Sequence, residues 1–313
     1  MIPFFNGRDV ELAVSPNEAY EAVRNAFVAY ARGEWTMQPK LYVTNYPAGD
    51  FRAMPALGGG HALLKWVTSF PGNPARGLPT VTGLVLLSNA ETGQLEAVLD
   101  AAAVTALRTG AAAALAAETL GRYGWRVASV VGAGVNGRAA IDVLTSLGRD
   151  VVVWDVRREA AEAAVKELQV SGYVARSLEE ALSCEVVVTV TPGRQILFPE
   201  GSLRPGQHIS LMGADGPGKA EISVSAMARS HLFCDDWEQA SHGGELAAVV
   251  EQGLVGREDV TELGDVLAGK ADGRRNAEEV TLFDSTGLAI QDLAIAKVAV
   301  AKADELDLQR IEL

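Results

Sequence analysis

The stretch that most restricts what this chain folds into is VASVVGAGVNGRAAIDVL, residues 127–144. It sets Gly132-x-Gly134-x-x-Gly137 between an apolar run, Val127–Val131, and a segment of helical periodicity, Asn136–Leu147. In a strand–loop–helix of this kind the first glycine permits the tight turn and the second lets a pyrophosphate approach the backbone. The third lets helix and strand pack closely, while the helix N-terminus offers free N–H groups to the phosphates. Val135 and Asn136 complete the loop. A second strand, Val151–Trp154, ends at Asp155, 23 residues after Gly132. A carboxylate there accepts the ribose hydroxyls and repels a 2′-phosphate, which favours NAD over NADP. Arg157 and Arg158 follow at once; they offer cations to such a phosphate instead, or are solvated charges at a helix start.

Strand and helix patterns continue to alternate after this unit. A helix over Arg158–Leu168, strands over Val186–Val190 and Ile209–Met212, and a strand and glycine turn in EVTLFDSTG lead to a last helix over Leu288–Asp304. Alternation of this sort implies right-handed crossovers and a parallel sheet covered on both faces. The region before it reads differently. Ser15-Pro16-Asn17-Glu18 spells an N-cap, a proline at the first helical position and a glutamate three residues after the cap, ahead of a helix ending at Gly33. Short strands follow, Lys40–Thr44 and Ala62–Val67 among them, with a hairpin turning at Glu91-Thr92-Gly93 and an alanine-rich helix over 101–120. The expected fold is α/β: a doubly wound Rossmann domain over 116–295, and an α+β domain for substrate binding and dimerisation over 1–115, rejoined by the C-terminal helix at 296–313.

A formal net charge of −13 argues against nucleic acid or an anionic membrane as partner. Cys184 and Cys234 lack the spacing of a zinc site and read as buried, reduced core residues, and no metal is expected. The N-terminal MIPFFNGRDV lacks the pattern of a secretory signal, and no apolar run approaches the roughly 20 residues that span a bilayer. A cytoplasmic protein is expected.

In the first domain Lys65 interrupts an apolar run, HALLKWV. Strand alternation puts it on the face of Leu63 and Val67, where desolvation lowers a lysine toward proton exchange near neutrality; the alternative is a snorkelling edge lysine. Lys40 and Arg52 are further cations among the short strands. In the second domain LMGADGPGKAE, residues 211–221, follows a strand at the carboxyl edge where such sheets bind ligands. Asp215 there is either a carboxylate held over a reacting group or an Asx-type turn residue.

RAMPA, LKWVTSFPGNPARGLPT, ETGQLEAVLDA, ALRTGAAAALAA, GADGPGKAE, DDWEQASHGGE and FDSTGLAIQDLAIAKV together resemble the ornithine cyclodeaminase/μ-crystallin family along nearly the whole chain, and within it the archaeal-type alanine dehydrogenase branch. The resemblance implies a homodimer joined through the first domains, nicotinamide on the Rossmann domain and a substrate pocket between domains. It assigns Lys40, Arg52 and Arg108 to the substrate carboxylate, Lys65 to acid–base work beside them, and Asp215 to the reacting carbon and amine. Thr191 and Pro192 fit a loop over the nicotinamide ribose, and Ser285, Thr286 and Gly287 the nicotinamide itself. His242, in SHGGE, is a proton relay or a structural loop histidine. A glycine run, ALGGGHALLKW, replaces bulkier residues expected near the substrate side chain. The function implied is an NAD-dependent amino-acid dehydrogenase, L-alanine being the best single substrate. Ornithine cyclodeamination or ketimine reduction, and a non-catalytic NAD(P)H-binding protein, are the alternatives.

Overall fold

The computed structural model describes residues 1–214, 216 and 218–312, and the chain divides into two units, Met1–Arg108 with Leu288–Leu313, and Thr109–Gly287. The boundaries expected at 115/116 and 295/296 fall inside helices. Helix Ala101–Leu120 belongs to both units: Thr105 bonds to a residue of the first, whereas Gly110 lies against the Ala139 backbone in the second, with no room for a side chain between them.

The first unit is a mixed sheet, with eight strands among the described residues. In chain order they are β1 (Ile2–Phe5), β2 (Thr36–Met37), β3 (Leu41–Asn45), β4 (Gly49–Gly58), β5 (His61–Ser69), β6 (Val81–Asn89), β7 (Leu95–Asp100) and a C-terminal strand, Gln309–Ile311, which pairs with β1. From β4 to β7 it is an antiparallel meander. Its inner face is written in the period-2 pattern of the sequence: Arg52, Met54 and Ala56 on β4, Leu63, Lys65 and Val67 on β5, Val85 and Leu87 on β6. Helix Pro16–Ala31 starts on a capping box, with Ser15 Oγ accepting from the Glu18 amide and Glu18 Oε2 from the Ser15 amide. The last helix, Ala289–Ala301, packs on that helix and on β4 and β5. β1, β2, the helix Gly7–Ala13 and the C-terminal strand escaped the sequence reading because each is too brief to show a period, and the helix expected over 296–313 ends at Ala301, with that strand beyond it.

The second unit is an all-parallel sheet, again eight strands among the described residues. These are β8 (Val127–Val131), β9 (Asp150–Trp154), β10 (Gly172–Val174), β11 (Val186–Thr189), β12 (His208–Leu211), β13 (His231–Cys234), β14 (Val260–Glu262) and β15 (Thr281–Asp284), in the order β10-β9-β8-β11-β12-β15-β13-β14. Val151–Val153 and Val186–Val188 are buried throughout, as strands covered on both faces require. The order reverses between β8 and β11. Doubly wound sheets bind ligands at the carboxyl ends of such neighbours, and Gly132, Asp155, Thr191 and Gly213 all follow strands on that edge. Among the described residues no helix is long and apolar enough to cross a membrane.

Candidate active site

In the first unit Lys65 sits mid-strand on β5, opposite Met54 and Val85, and is 1% exposed. Strand alternation forces it inward, so its ammonium must find partners inside the protein. It donates to Thr105 Oγ1 at 2.6 Å and to Asp292 Oδ1 at 2.8 Å. Burial pushes Lys65 down from the usual lysine range, Asp292 holds it up, Arg108 and Arg52 push it down again, and the balance is about 8. Arg108 Nε lies 3.7 Å from the same Asp292 oxygen, and its Nη1 donates to Gln291 Oε1 at 3.5 Å. Arg52, two residues before Met54 on the inner face of β4, pairs with Asp50 at 2.6 Å, and its guanidinium lies 5.3 Å from the Tyr42 ring centroid. Lys40 is half-buried just before β3, next to Leu41, which pairs with Ala53 beside Arg52. Two buried cations, Lys65 and Arg52, and the half-buried Arg108 thus face two buried carboxylates, Asp50 and Asp292. These five groups carry one surplus positive charge, so they suit an anionic group.

The glycine run belongs to the scaffold of this unit. A Cβ on Gly58 would meet the Trp35 ring at 2.3 Å, and one on Gly59, whose φ is +55°, would meet the Lys297 ammonium. Lys297 donates to the Gly59 carbonyl and lies over the Trp35 ring. Bulkier residues are absent at 58 and 59 because Trp35 and Lys297 fill the space.

In the second unit the glycine loop has the form that a dinucleotide needs. Gly132 takes φ +108°, and a Cβ there would lie 2.6 Å from the Val190 carbonyl oxygen; one on Gly137 would lie 1.8 Å from the Gly132 carbonyl oxygen. Gly134 differs. It is the N-cap of helix Val135–Ser146, with an ordinary φ of −73°, and a Cβ on it would meet nothing within 4 Å. No side chain caps the helix, so the amides of Val135, Asn136 and Gly137 face outward without an intrahelical acceptor. Gly132 and Gly137 are therefore fixed by the protein's own packing, while Gly134 keeps open the approach to those amides. Asp155 steadies the loop, Oδ2 accepting from the Ala133 amide and Oδ1 from the Arg157 amide, both at 2.8 Å. The Arg157 side chain is 75% exposed. The loop thus fits the pyrophosphate of a dinucleotide.

The loops beside it hang on carboxylates that sequence reading passed over. Fully buried Glu221 accepts from Thr189 Oγ1 and Thr191 Oγ1, each at 2.5 Å, and from the Gly213 amide. It thereby joins the end of β11, the Thr191-Pro192 loop and the loop after β12. Glu245 accepts from the Glu221 amide, and burial beside Asp284 and Glu221 raises its carboxyl to about 9. Asp235 accepts from the amides of Thr286 and Gly287 and from the hydroxyls of Ser285 and Thr286. Asp215 lies outside the described residues. His242 is helical rather than in a loop: it falls in Trp237–Gly243, with Nδ1 2.8 Å from the Glu238 carbonyl, a structural contact. Cys234 is buried, but Cys184 is only half-buried, against the expectation for both, because it lies in the turn between a short helix ending at Leu182 and β11. Among the described residues no cluster of His, Cys, Asp and Glu has the form of a metal site.

Of the residues missed, Asp292 and Gln291 bear most directly on Lys65 and Arg108. Their one local signal is a carboxylate and an amide in the first turn of a helix that is apolar but for them and Lys297.

A dinucleotide-type glycine loop at the carboxyl edge of a doubly wound sheet defines a nucleotide-binding class of fold, and comparison with known proteins narrows it. The model of the ornithine cyclodeaminase/mu-crystallin family matches residues 4–306, and the chain belongs to that family. It is 45% identical over 301 residues to the alanine dehydrogenase of Archaeoglobus fulgidus, covering 94% of this chain and 93% of that one. A solved archaeal alanine dehydrogenase dimer with bound NAD superposes with a TM-score of 0.93 at 42% identity, covering 99% of both chains. The Thermococcus litoralis Δ1-pyrroline-2-carboxylate reductase, solved with NADH and L-proline, superposes with a TM-score of 0.92 at 27% identity, covering 99% of this chain and all of that one.

Proposed function

We infer that this chain is an NAD-dependent amino-acid dehydrogenase that oxidises L-alanine, or a similarly small amino acid, to the 2-oxo acid and ammonia. The observation that carries the reading is Lys65, buried beside Asp292 and two arginines and held near 8. Near that pH it exists in both protonation states, the condition for moving protons in both directions. Arg52, Lys40 and Arg108 hold the substrate carboxylate, which supplies the negative charge that the cation cluster lacks. Gly132, Gly134, Gly137 and the amides that follow Gly134 receive the pyrophosphate, and Asp155 accepts from ribose hydroxyls. NAD held on that loop would supply the acceptor for the hydride from the substrate Cα. Lys65 takes a proton from the substrate ammonium, so that the nitrogen lone pair can form the C=N bond as the hydride leaves. Water then adds to the iminium carbon and loses a proton to solvent, Lys65 returns its proton to nitrogen, and the C–N bond breaks to release ammonia as Lys65 takes the hydroxyl proton and the C=O bond forms. Asp215 is proposed to bind the ammonium or the attacking water.

The same cation cluster serves reduction of a cyclic imino acid, the reading that likeness to the proline-bound reductase favours as second choice. One assay separates the two: absorbance at 340 nm with NAD and L-alanine, against NADH with Δ1-pyrroline-2-carboxylate. Faster turnover of the imino acid would displace the alanine reading.

A homodimer is the assembly we infer. The outer face of the first sheet leaves Leu64, Trp66 and Leu84 39, 42 and 44% exposed, with Trp66 directly opposite Leu84 across the β5–β6 pair. Adjacent exposed apolar residues of this size mark association surfaces, and the superposed archaeal enzyme is a dimer. Unpaired Cys184 and Cys234 fit a reducing compartment, the cytoplasm.

A further inference from the structure

The proposed reaction asks Lys65 to present one N–H bond in one direction, yet a lysine on a strand has four rotatable bonds and no fixed aim. Its surroundings supply the restraint. Thr105 Oγ1 accepts from Lys65 Nζ but also donates to the Ala101 carbonyl at 2.6 Å, so it is a neutral partner tied to its own helix. The charged partner is Asp292, fully buried in the first turn of the last helix. A bare carboxylate in such a place would be costly, and three features offset its charge: Lys65 at 2.8 Å, Arg108 at 3.7 Å, and the helix N-terminus, which favours negative charge. Gln291, one residue earlier, spans Arg108 Nη1 and the Leu288 amide through its carbonyl oxygen. Two consecutive residues of one helix therefore fix both cations.

We propose that Asp292 is the positioning residue of this site, its carboxylate aiming the Lys65 ammonium and supplying the counter-charge that Lys65 keeps between turnovers. The consequence for catalysis rests on the amino-acid reading above; the juxtaposition itself does not. The groups that face Lys65 are Asp292 from the last helix, Arg108 and Thr105 from helix Ala101–Leu120, and Arg52 from β4. Of these only Asp292 favours the charged lysine by its own charge. Without it, burial and the two arginines all act to lower Lys65.

The test is Asp292→Asn, which keeps shape and removes charge, in the full-length protein labelled with 15N-lysine. The side-chain signal that Lys65→Met abolishes reports Lys65 directly. Its titration midpoint should fall by roughly one to three pH units in Asp292→Asn and stay near the wild-type value in Asp292→Glu. The acid limb of turnover against pH should move with it. A midpoint within about 0.3 unit of wild type in folded Asp292→Asn would overturn the proposal. If that variant does not fold, Thr105→Val decides. With Asp292 as the anchor the midpoint hardly moves, whereas a drop of a full unit or more would assign the role to Thr105. Because the midpoint is read without turnover, a wild-type protein that oxidises no amino acid would sink the functional reading and leave this result standing.

Discussion

Gly134→Ala separates a loop shaped by its own packing from one shaped for a ligand. A Cβ at 134 meets no atom within 4 Å and the φ of −73° suits alanine, so the fold has little reason to resist. Alanine is a poorer N-cap than glycine by some tenths of a kcal/mol, and the stiffer unfolded chain offsets about the same amount. The melting temperature should therefore stay within about 3 °C of wild type. The added methyl would stand where the pyrophosphate meets the amides of Val135, Asn136 and Gly137. Losing one charge-assisted hydrogen bond there costs about 1.5–3 kcal/mol, or roughly 10- to 100-fold in affinity. NADH fluorescence titration and a melting curve on the same sample read both quantities. Gly137→Ala is the control with the opposite expectation: its Cβ would lie 1.8 Å from the Gly132 carbonyl oxygen, so it should lose stability outright, by at least about 1–3 kcal/mol. Unchanged NADH affinity in a normally folded Gly134→Ala protein would refute the idea that the loop cradles a dinucleotide.

Other expectations are as direct. Lys65→Met should lower turnover by at least about 10²-fold while leaving NADH affinity unchanged, since the dinucleotide loop belongs to the other unit; steady-state rates and the same titration check it. Asp215→Asn keeps the capacity for an Asx turn and should cut turnover by about 10²–10⁴-fold with melting unaltered; turnover within about threefold of wild type would reduce Asp215 to a turn residue. Glu245→Gln should stabilise the protein. A carboxyl raised from 4.5 to about 9 on folding binds its proton more tightly in the folded state. Stability is therefore full below about 4.5 and drains away as pH rises toward 9, by roughly 3 kcal/mol at pH 7. The melting advantage of Glu245→Gln should widen from pH 5 to pH 8, and an advantage independent of pH would contradict the buried neutral acid.

Much of this was legible because it is local. The Ser15–Glu18 capping box, the strand–glycine–helix at 127–144 and the inward aim of Lys65 each follow from residues within a few positions of one another. What escaped is long-range or too short to be periodic. Asp292 is 227 residues from Lys65, and in QDLAIAKV it reads as an ordinary polar residue of a helix start. Glu221 looks like a helix-start glutamate, yet it bonds Thr189 and Thr191 some 30 residues earlier, because the parallel sheet sets their loops side by side. Strands β10 and β14 have only three residues each, and β15 enters the sheet between β12 and β13, an order no local pattern records. The crowding of Gly58 and Gly59 by Trp35 and Lys297 is equally long-range and unmarked in the local pattern.

The central claim is that hydride leaves the amino-acid Cα for NAD within a site whose protons Lys65 moves. L-Alanine deuterated at C2, incubated with NAD and the wild-type protein, tests it most directly when NADH, pyruvate and ammonia are quantified together and the NADH is analysed by mass. Each NADH formed should carry one deuterium, with pyruvate and ammonia in equal amount, and none of this should appear with Lys65→Met. Deuterium retained in alanine, with no NADH formed across pH 7 to 10, would contradict it.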